Sequence, residues 1–143
     1  MLIDTILKGK GGEVATVTAE ATLVEAANLL DQKRIGAVVA VDAKGRLIGV
    51  LSERDIVRRF ARNGTKTVDM TVADAMTRGV ITASPGESID TCLGRMTDRR
   101  IRHLPVVEDG ELRGIISIGD LVKHKIDSVL AEAEAMTAYI KSG

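Results

Sequence analysis

The stretch Gly49-Val50-Leu51-Ser52-Glu53-Arg54-Asp55-Ile56-Val57 decides the fold of this chain, because it returns as Gly114-Ile115-Ile116-Ser117-Ile118-Gly119-Asp120-Leu121-Val122. Upstream of it, Lys33-Arg34-Ile35 returns as Arg99-Arg100-Ile101. The two serines are 65 residues apart and the central arginines 66. A period of that length indicates two copies of one supersecondary unit rather than a solenoid array. Two copies imply a pseudo-two-fold axis and related clefts where the copies meet.

Composition excludes several classes of protein. With 143 residues, the chain is expected to form one compact domain or two small halves that share a core. The 20 basic and 20 acidic residues cancel, and the only aromatic residues are Phe60 and Tyr139. A neutral chain with no basic tract and so few aromatic rings argues against nucleic acid as a partner. The apolar runs are too short for a membrane span, so no membrane partner and no signal peptide are expected.

Cysteine usage favours a reducing, cytoplasmic setting. Cys92 is the only cysteine, so no internal disulfide can form. Its spacing places it on the apolar face of a helix, which favours a small core residue over a reactive thiol. With two histidines and no clustered ligands, no metal site is expected either.

The hydrophobic pattern predicts the same order of elements in each copy: strand, helix, strand, strand, helix. In the first copy these are a strand at 14–17, a helix capped by Thr22, strands at 37–41 and 47–51, and a helix from Ser52 to about 62. A short helix at 71–76 precedes the second copy. That copy has a strand at 80–83, a helix after Ser88, strands at 104–107 and 111–116, and a helix from Ser117.

The ends of the chain add to this repeat. An amphipathic helix is predicted at 1–7, ended by Gly9 and the pair Gly11-Gly12. The domain boundaries that follow are an N-terminal helix at 1–12, repeat 1 with its connector at 13–70, repeat 2 at 71–126, and a C-terminal helix extension at 127–143.

The fold class expected from this order of elements is α/β (α+β), with the two repeats packed sheet to sheet.

The last helix is too long for its copy. Six apolar residues are spaced alternately four and three apart, which resembles a heptad seam: Val122, Ile126, Val129, Ala133, Met136 and Ile140. Two interpretations remain open. The seam packs on its own domain or on residues 1–7, or it forms a dimer contact.

The repeated Ser-x-x-Asp motif carries the candidate chemistry. Ser52 with Asp55, and Ser117 with Asp120, each begin a helix directly after an apolar strand. The structural interpretation is a capping box, worth about 1 kcal/mol. The functional interpretation is a ligand site, because open sheets bind ligands at the carboxyl ends of strands and a helix N-terminus attracts phosphate. An aspartate there can accept both hydroxyls of a ribose, and capping and binding can coexist.

At this level of detail the chain resembles a tandem pair of CBS domains, also called a Bateman module. The resemblance covers about residues 14–126. It rests on three segments and their first-half counterparts: Ser84-Pro85, Arg100-Ile101-Arg102-His103-Leu104-Pro105-Val106-Val107, and Gly114-Ile115-Ile116-Ser117-x-x-Asp120. The phrases Lys10-Gly11-Gly12-Glu13-Val14 and Ser52-Glu53-Arg54-Asp55 favour the small bacterial members that consist of the pair alone.

The resemblance implies adenosine-derived ligands: AMP, ADP, ATP, S-adenosylmethionine, or NAD(H). By position, Asp55 and Asp120 would hold ribose hydroxyls, and Ser52 and Ser117 would lie near phosphate or sugar. Val50 and Ile115 would press on an adenine face. Each cleft would also borrow residues from the other copy: Thr18, Leu23, Ile35 and Gly36 for the Asp120 cleft, and Ser84, Ile89, Ile101 and Arg102 for the Asp55 cleft. Arg102 and His103 match a basic pair that faces phosphates in the gamma subunit of AMP-activated protein kinase.

The copies are not equal. The first copy has Gly36-Ala37 where the second has Arg102-His103, and it shows Ala19 and Val39 in place of two prolines, Pro85 and Pro105. We therefore expect two clefts of different affinity. His103 is also explained as a structural histidine at a strand start, and Arg54 as a residue of an exposed helix face.

The sequence thus favours a regulatory, signal-transducing module that binds an adenine nucleotide (AMP, ADP, ATP or NAD(H)). We expect it to sense energy or redox state and to signal to an unknown regulated protein. A homodimer is expected. The alternative is a ligand-free dimeric interaction scaffold. An enzyme is not expected, because the chain shows no nucleophile–base pair, no Walker-type glycine loop and no need for a catalytic cofactor.

Overall fold

A computed structural model describes residues 1–11 and 13–142. Repeat 1 contains strand β1, helix α2, strands β2 and β3, and helix α3. A 3-10 helix at Gly64–Asp69 and a short helix, α4, link it to repeat 2. The bounds are β1 Thr16–Thr18, α2 Leu23–Lys33, β2 Ala37–Val41, β3 Leu47–Ser52, α3 Glu53–Asn63 and α4 Val72–Ala75. β1 pairs with β2 in parallel and β2 with β3 antiparallel, so β2 lies at the centre of this sheet.

Repeat 2 follows the same order with one departure. It comprises α5, an antiparallel hairpin of β4 and β5, and the long helix α6, with bounds α5 Ile89–Arg99, β4 His103–Glu108, β5 Glu111–Ser117 and α6 Ile118–Ser142. The α/β class with two pseudo-symmetric repeats is confirmed. The strand predicted at 80–83 is wrong, because only Ala83 makes a ladder contact, an isolated parallel bridge to Val106.

Pro105 explains this departure. In repeat 1 the amide of Val39 donates to the carbonyl of Ala15 at 3.1 Å and extends the β1 ladder. Pro105 occupies the equivalent place in β4 and has no N–H to donate. The carbonyl of Ile81, the counterpart of Ala15, therefore receives no donor from this position of β4. The segment before Ala83 is therefore not held as a strand, and part of it lines a cleft between the repeats.

Helices α1 (Ile3–Lys10) and α4 are exchanged between the repeats. The amide of Ile3 donates to Glu87 at 3.0 Å in repeat 2, and the amide of Val72 donates to Ala21 at 2.8 Å in repeat 1. α1 runs through Gly9, so the predicted end at this residue is wrong. Gly12, which was expected to help end the helix, lies outside the described residues.

Two buried clusters result, rather than the single shared core expected from the length. The cluster of repeat 1 contains residues of α2, β2 and β3 together with Val72, Ala75 and Met76 from the α4 segment. The cluster of repeat 2 contains residues of α5, β4, β5 and α6 together with Ile3, Ile6 and Leu7 from α1. Cys92 is fully buried in it, as its spacing predicted. Helix α1 precedes repeat 1 but completes the core of repeat 2. Helix α4 precedes repeat 2 but completes the core of repeat 1.

The repeated glycines Gly49 and Gly114 make room for this exchange. A Cβ at Gly114 would lie 2.6 Å from Cδ2 of Leu7, and a Cβ at Gly49 would lie 2.5 Å from Sδ of Met76. Both distances are shorter than any real Cβ contact. The glycine that opens each repeated motif thus receives the last apolar side chain of the exchanged segment.

α6 extends well beyond the body of repeat 2. Leu121 in its first turn is fully buried, whereas Ile126, Val129, Met136 and Ile140 of the predicted seam are each more than half exposed. The seam therefore does not pack on residues 1–7 within this chain. Among the described residues, no helix is both long and apolar enough to cross a membrane.

Gly114→Val tests the exchange. We expect it to lower the free energy of unfolding by about 1–3 kcal/mol, because the new side chain overpacks against Leu7. Urea denaturation followed by circular dichroism measures this loss. Gly94→Ala is the control: Gly94 lies inside α5, where a Cβ would meet nothing within 4 Å beyond the adjacent helix backbone, so it should stabilise the chain by roughly 0.5–1 kcal/mol. Equal unfolding midpoints for Gly114→Val and the wild type would contradict this packing.

Candidate functional site

A cleft of about 270 Å³ lies between the repeats, beside the first Ser-x-x-Asp motif. Repeat 1 contributes Gly36 and the junction of β3 with α3. Repeat 2 contributes the segment after α4 and the start of β4. The lining residues are Gly36, Val50, Ser52, Glu53, Arg54, Asp55, Arg58, Thr77, Gly79, Val80, Ile81, Arg100, Ile101, Arg102 and His103. We call this cavity the Asp55 cleft.

The junction of β3 with α3 forms a capping box. The Asp55 amide donates to Oγ of Ser52 at 3.3 Å, and Oδ2 of Asp55 accepts from the Ser52 amide at 2.9 Å. Oδ2 also accepts from the Ser52 hydroxyl at 3.1 Å. The capping interpretation of this motif is therefore confirmed. All of these bonds to the carboxylate use Oδ2, so capping and ligand binding need not compete for the same oxygen of Asp55.

Repeat 2 closes the opposite side of the cleft through main-chain contacts. Thr77 and Val50 exchange two backbone hydrogen bonds, at 3.1 and 2.9 Å, which fix the segment after α4 against β3.

The carbonyl of Arg102 accepts from the amide of Ile118 at 2.8 Å, as the carbonyl of Gly36 accepts from the amide of Glu53 at 3.0 Å. These equivalent bonds tie each helix start to the strand entrance of its own repeat.

Gly36 and His103 fit against each other across the repeats. A Cβ at Gly36 would lie 3.2 Å from Nε2 of His103. The small residue in one copy therefore gives space to the large residue in the other. The sequence assigned Gly36 to the Asp120 cleft, whereas in the structure it lines the Asp55 cleft.

The Asp55 cleft carries an excess of positive charge. Its lining holds four arginines, Arg54, Arg58, Arg100 and Arg102, against two acids, Glu53 and Asp55. None of these four arginines takes part in the ion pairs found among the described residues. Guanidinium groups of this kind around a concave surface favour an anionic ligand.

The second Ser-x-x-Asp motif has the same capping geometry and a different neighbour. Oδ2 of Asp120 accepts from the Ser117 amide at 2.9 Å, and the Asp120 amide donates to Oγ of Ser117 at 3.1 Å. In addition, Nζ of Lys10 lies 2.6 Å from Oδ2 of Asp120 and donates to the carbonyl of Ile115 at 3.0 Å. Burial alone would raise the pKa of Asp120, but Lys10 and the Ser117 amide outweigh it, and the pKa is lowered.

The structure brings only some of the candidate residues together. Val50, Ser52, Asp55, Gly36, Ile101, Arg102 and His103 line one cleft. The others lie elsewhere: Leu23 and Ile89 in the two cores, Ile35 packed against the repeat 1 core, Thr18 exposed on β1, and Ser84 exposed with its amide bound to Glu87. Their roles as ligand contacts remain a prediction.

Sequence reasoning missed several lining residues. Arg58 could have been found, because it follows Asp55 by three residues and Arg54 by four, on one face of α3. Thr77 and Gly79 carried no such signal, because their place depends on the exchange of α4. Arg54 lines the cleft as well as being exposed on its helix.

Within the described residues, no group of three or more potential metal ligands is present.

His103 lies half-buried at the centre of this arrangement. Burial lowers its pKa below the ordinary value, as do the positive charges of Lys10 and Arg102, while Glu53 and Asp120 act in the opposite direction. The folded chain thus keeps His103 neutral at a pH where the unfolded chain protonates it. His103 therefore contributes stability above the ordinary pKa of 6.5, and this contribution is lost as the pH falls through the lowered value.

We expect the thermal midpoint Tm to decrease as the pH is lowered from 7.5 into the acid range. In His103→Gln, Tm should depend less on pH, because the titrating group is removed. Differential scanning calorimetry at constant ionic strength measures both. An unchanged slope in His103→Gln would show that other groups cause the acid destabilisation.

Comparison with known proteins agrees with this architecture. The family model described as CBS domain matches residues 12–62 and 72–127. A CBS-domain containing protein of Agrobacterium tumefaciens, ATU1752, superposes with a TM-score of 0.85 at 40% identity, covering 87% of this chain and 99% of that one. PAE2072 of Pyrobaculum aerophilum, solved with AMP, superposes with a TM-score of 0.75 at 28% identity, covering 84% and 89%.

A third structure carries a different ligand. The CBS domain pair of MJ0100, in complex with 5′-methylthioadenosine and S-adenosyl-L-methionine, superposes with a TM-score of 0.80 at 29% identity, covering 90% of this chain and 98% of that one. The family match spans both repeats, and the structural matches span the pair as a unit. This chain therefore belongs to the CBS-domain proteins, of which it carries a tandem pair.

Proposed function

We propose that the chain is a regulatory module that binds an adenine nucleotide in the Asp55 cleft. The single observation that carries this proposal is the composition of the cleft: a carboxylate at a helix start, apolar side chains from both repeats, and four arginines surround one cavity. Each of these features suits a different part of a nucleotide.

The ribose is assigned to Asp55. Its Oδ2 caps α3, and its Oδ1 makes none of the hydrogen bonds described for the junction, so Oδ1 can accept from a vicinal hydroxyl pair. The adenine is assigned to the apolar residues Val50, Ile81 and Ile101, which line the same cleft. Aliphatic side chains can press on both faces of a base in a chain that has almost no aromatic residues.

The arginines favour a ligand that carries phosphate. The excess of two positive charges in the lining, with His103 neutral, makes the cleft an attractive site for AMP, ADP, ATP or NAD(H). Among the structural relatives, one pair was solved with AMP and another with 5′-methylthioadenosine and S-adenosyl-L-methionine. These relatives support an adenosine-type ligand, and the charge of this cleft favours the nucleotide over the sulfonium compound.

Signalling would follow from where the ligand lies. A nucleotide in the Asp55 cleft contacts both repeats and stabilises the arrangement in which their surfaces match it. A regulated partner that binds this arrangement and the ligand-free one with different affinities would respond to the concentration of nucleotide. The chain then acts as a binding protein rather than an enzyme, in a reducing, cytoplasmic compartment.

Asp55→Ala is expected to weaken binding of AMP or ATP tenfold or more, equivalent to about 1.4 kcal/mol, because the ribose loses its acceptor. Isothermal titration calorimetry measures the affinity. The control is Asp74→Ala, since Asp74 forms a capping box with Thr71 but lies outside the cleft. Both variants should lose similar stability, and only Asp55→Ala should lose affinity.

The same calorimetry on the wild type, with AMP, ATP, NADH and S-adenosylmethionine, tests the ligand class. The phosphate-bearing compounds should bind more tightly. If affinity is the same in Asp55→Ala and Asp74→Ala, Asp55 serves capping alone. If none of the four compounds binds at millimolar concentration, a ligand-free scaffold is favoured.

The second candidate function is such an interaction scaffold, and the exposed seam of α6 favours it. We propose in either case that this seam pairs with the seam of a second copy. Residues 127–142 of α6 present Val129, Met136 and Ile140 to solvent. An apolar stripe of this length on a projecting helix is typical of an interface.

The double variant Val129→Glu with Met136→Glu should convert a dimer into a monomer, because it places charge in the apolar seam. Sedimentation velocity measures the change. Glu132→Gln with Glu134→Gln, on the same helix, is the control and should leave the dimer intact. A wild-type chain that sediments as a monomer throughout the micromolar range would contradict the proposed pairing.

A further inference from the structure

Lys10, the last residue of α1, lies at the second Ser-x-x-Asp motif, beside which the repeat predicts the Asp120 cleft. Its ammonium group lies 2.6 Å from Oδ2 of Asp120 and donates to the main-chain carbonyl of Ile115 at 3.0 Å. The side chains of Lys10 and Asp120 are 37% and 27% exposed, so the pair is partly withdrawn from water. This makes it a stronger contact than an ordinary surface ion pair.

The two atoms that Lys10 binds belong to residues with counterparts in the Asp55 cleft. Asp120 caps α6 as Asp55 caps α3, and Ile115 precedes its serine by two residues as Val50 does. In the proposed function, Asp55 holds the ribose and Val50 faces the adenine. The two residues that Lys10 contacts are therefore the counterparts of the two to which the proposed function assigns the ribose and the adenine.

The counterpart of Lys10 beside the Asp55 cleft is a glycine. Leu7 packs on Gly114 just as Met76 packs on Gly49. Three residues beyond Leu7 the chain has Lys10, and three residues beyond Met76 it has Gly79, which lines the open cleft. The exchanged segments thus run to both Ser-x-x-Asp motifs. At this position one segment carries a long, charged side chain and the other carries none.

We propose that Lys10 blocks the Asp120 cleft, so that each chain binds a single nucleotide and Lys10 determines which cleft receives it. This inference rests on the proposed function of the Asp55 cleft. A nucleoside that enters beside Asp120 must first displace the Lys10 side chain, whose ammonium group contacts Oδ2 of Asp120 and the Ile115 carbonyl. The Asp55 cleft makes no such demand. The pair is therefore asymmetric in occupancy as well as in sequence.

The blocking group can be removed without disturbing the core. α1 is held by Ile3, Ile6 and Leu7, which are buried in the repeat 2 cluster, whereas Lys10 is exposed. Lys10→Ala removes the whole blocking side chain. Lys10→Gln keeps most of its length and removes the charge. Lys8→Ala is the matched control, because Lys8 lies in the same turn and pairs with Asp4 at 3.1 Å on the outer face of α1.

The experiment is isothermal titration calorimetry of the full chain with AMP, and with ATP in parallel. We expect one site per chain for the wild type and for Lys8→Ala, and two sites per chain for Lys10→Ala. Lys10→Gln should show a second site that is weaker than that of Lys10→Ala. Circular dichroism confirms that the variants remain folded. Adding Asp55→Ala to Lys10→Ala should weaken the original site tenfold or more, and adding Asp120→Ala should weaken the new site in the same way.

The possible results separate this inference from the function on which it rests. No binding to the wild type or to any variant overturns the proposed function. One site in the wild type and still one in Lys10→Ala overturns the inference and leaves the proposed function intact. Two sites in the wild type also overturn it, because Lys10 then yields to the ligand or contacts its phosphate. Loss of a site in Lys10→Ala overturns it as well, because the lysine then assists binding.

Discussion

The docking of each exchanged helix against a glycine is the contact on which the rest of the structure depends. Leu7 reaches Gly114 and Met76 reaches Gly49, at distances that leave no room for a Cβ. Without the exchange, each repeat would expose the cluster of apolar residues that α1 or α4 covers. The free energy of burying these side chains, which is proportional to the apolar area removed from water, therefore holds the two repeats together.

The same exchange builds the clefts. Because α4 crosses to repeat 1, the segment after it passes beside β3, where Thr77 pairs with Val50 and the following residues form a wall of the Asp55 cleft. Because α1 crosses to repeat 2, its last residue arrives at Asp120. One structural device thus brings an exchanged segment to each Ser-x-x-Asp motif. Lys10 in one segment and Gly79 in the other add to the sequence differences between the two copies.

The sequence predicted the repeat, the order of elements and the capping motifs, because each of these depends on local pattern. The strand Ala37–Val41 is an example in which the expected and observed bounds agree. The strand at 80–83 failed because ladder formation depends on a donor in another strand, and Pro105 removes that donor. The exchange could not be read from periodicity, since an amphipathic helix does not specify which of two similar surfaces it will cover. For the same reason Lys10 and Gly79 were missed, whereas Asp55 and Arg102, which lie within the repeated motifs, were found.

The fit of Gly36 against His103 shows that the two halves are no longer interchangeable. A chain built from two identical second halves would set an arginine against His103 at the centre, where Gly36 now stands. A chain built from two identical first halves would leave a void there and would lack Arg102. The two copies have thus diverged in a complementary way. A small residue in one half lies opposite a large residue in the other, so each half fits only a partner that differs from itself.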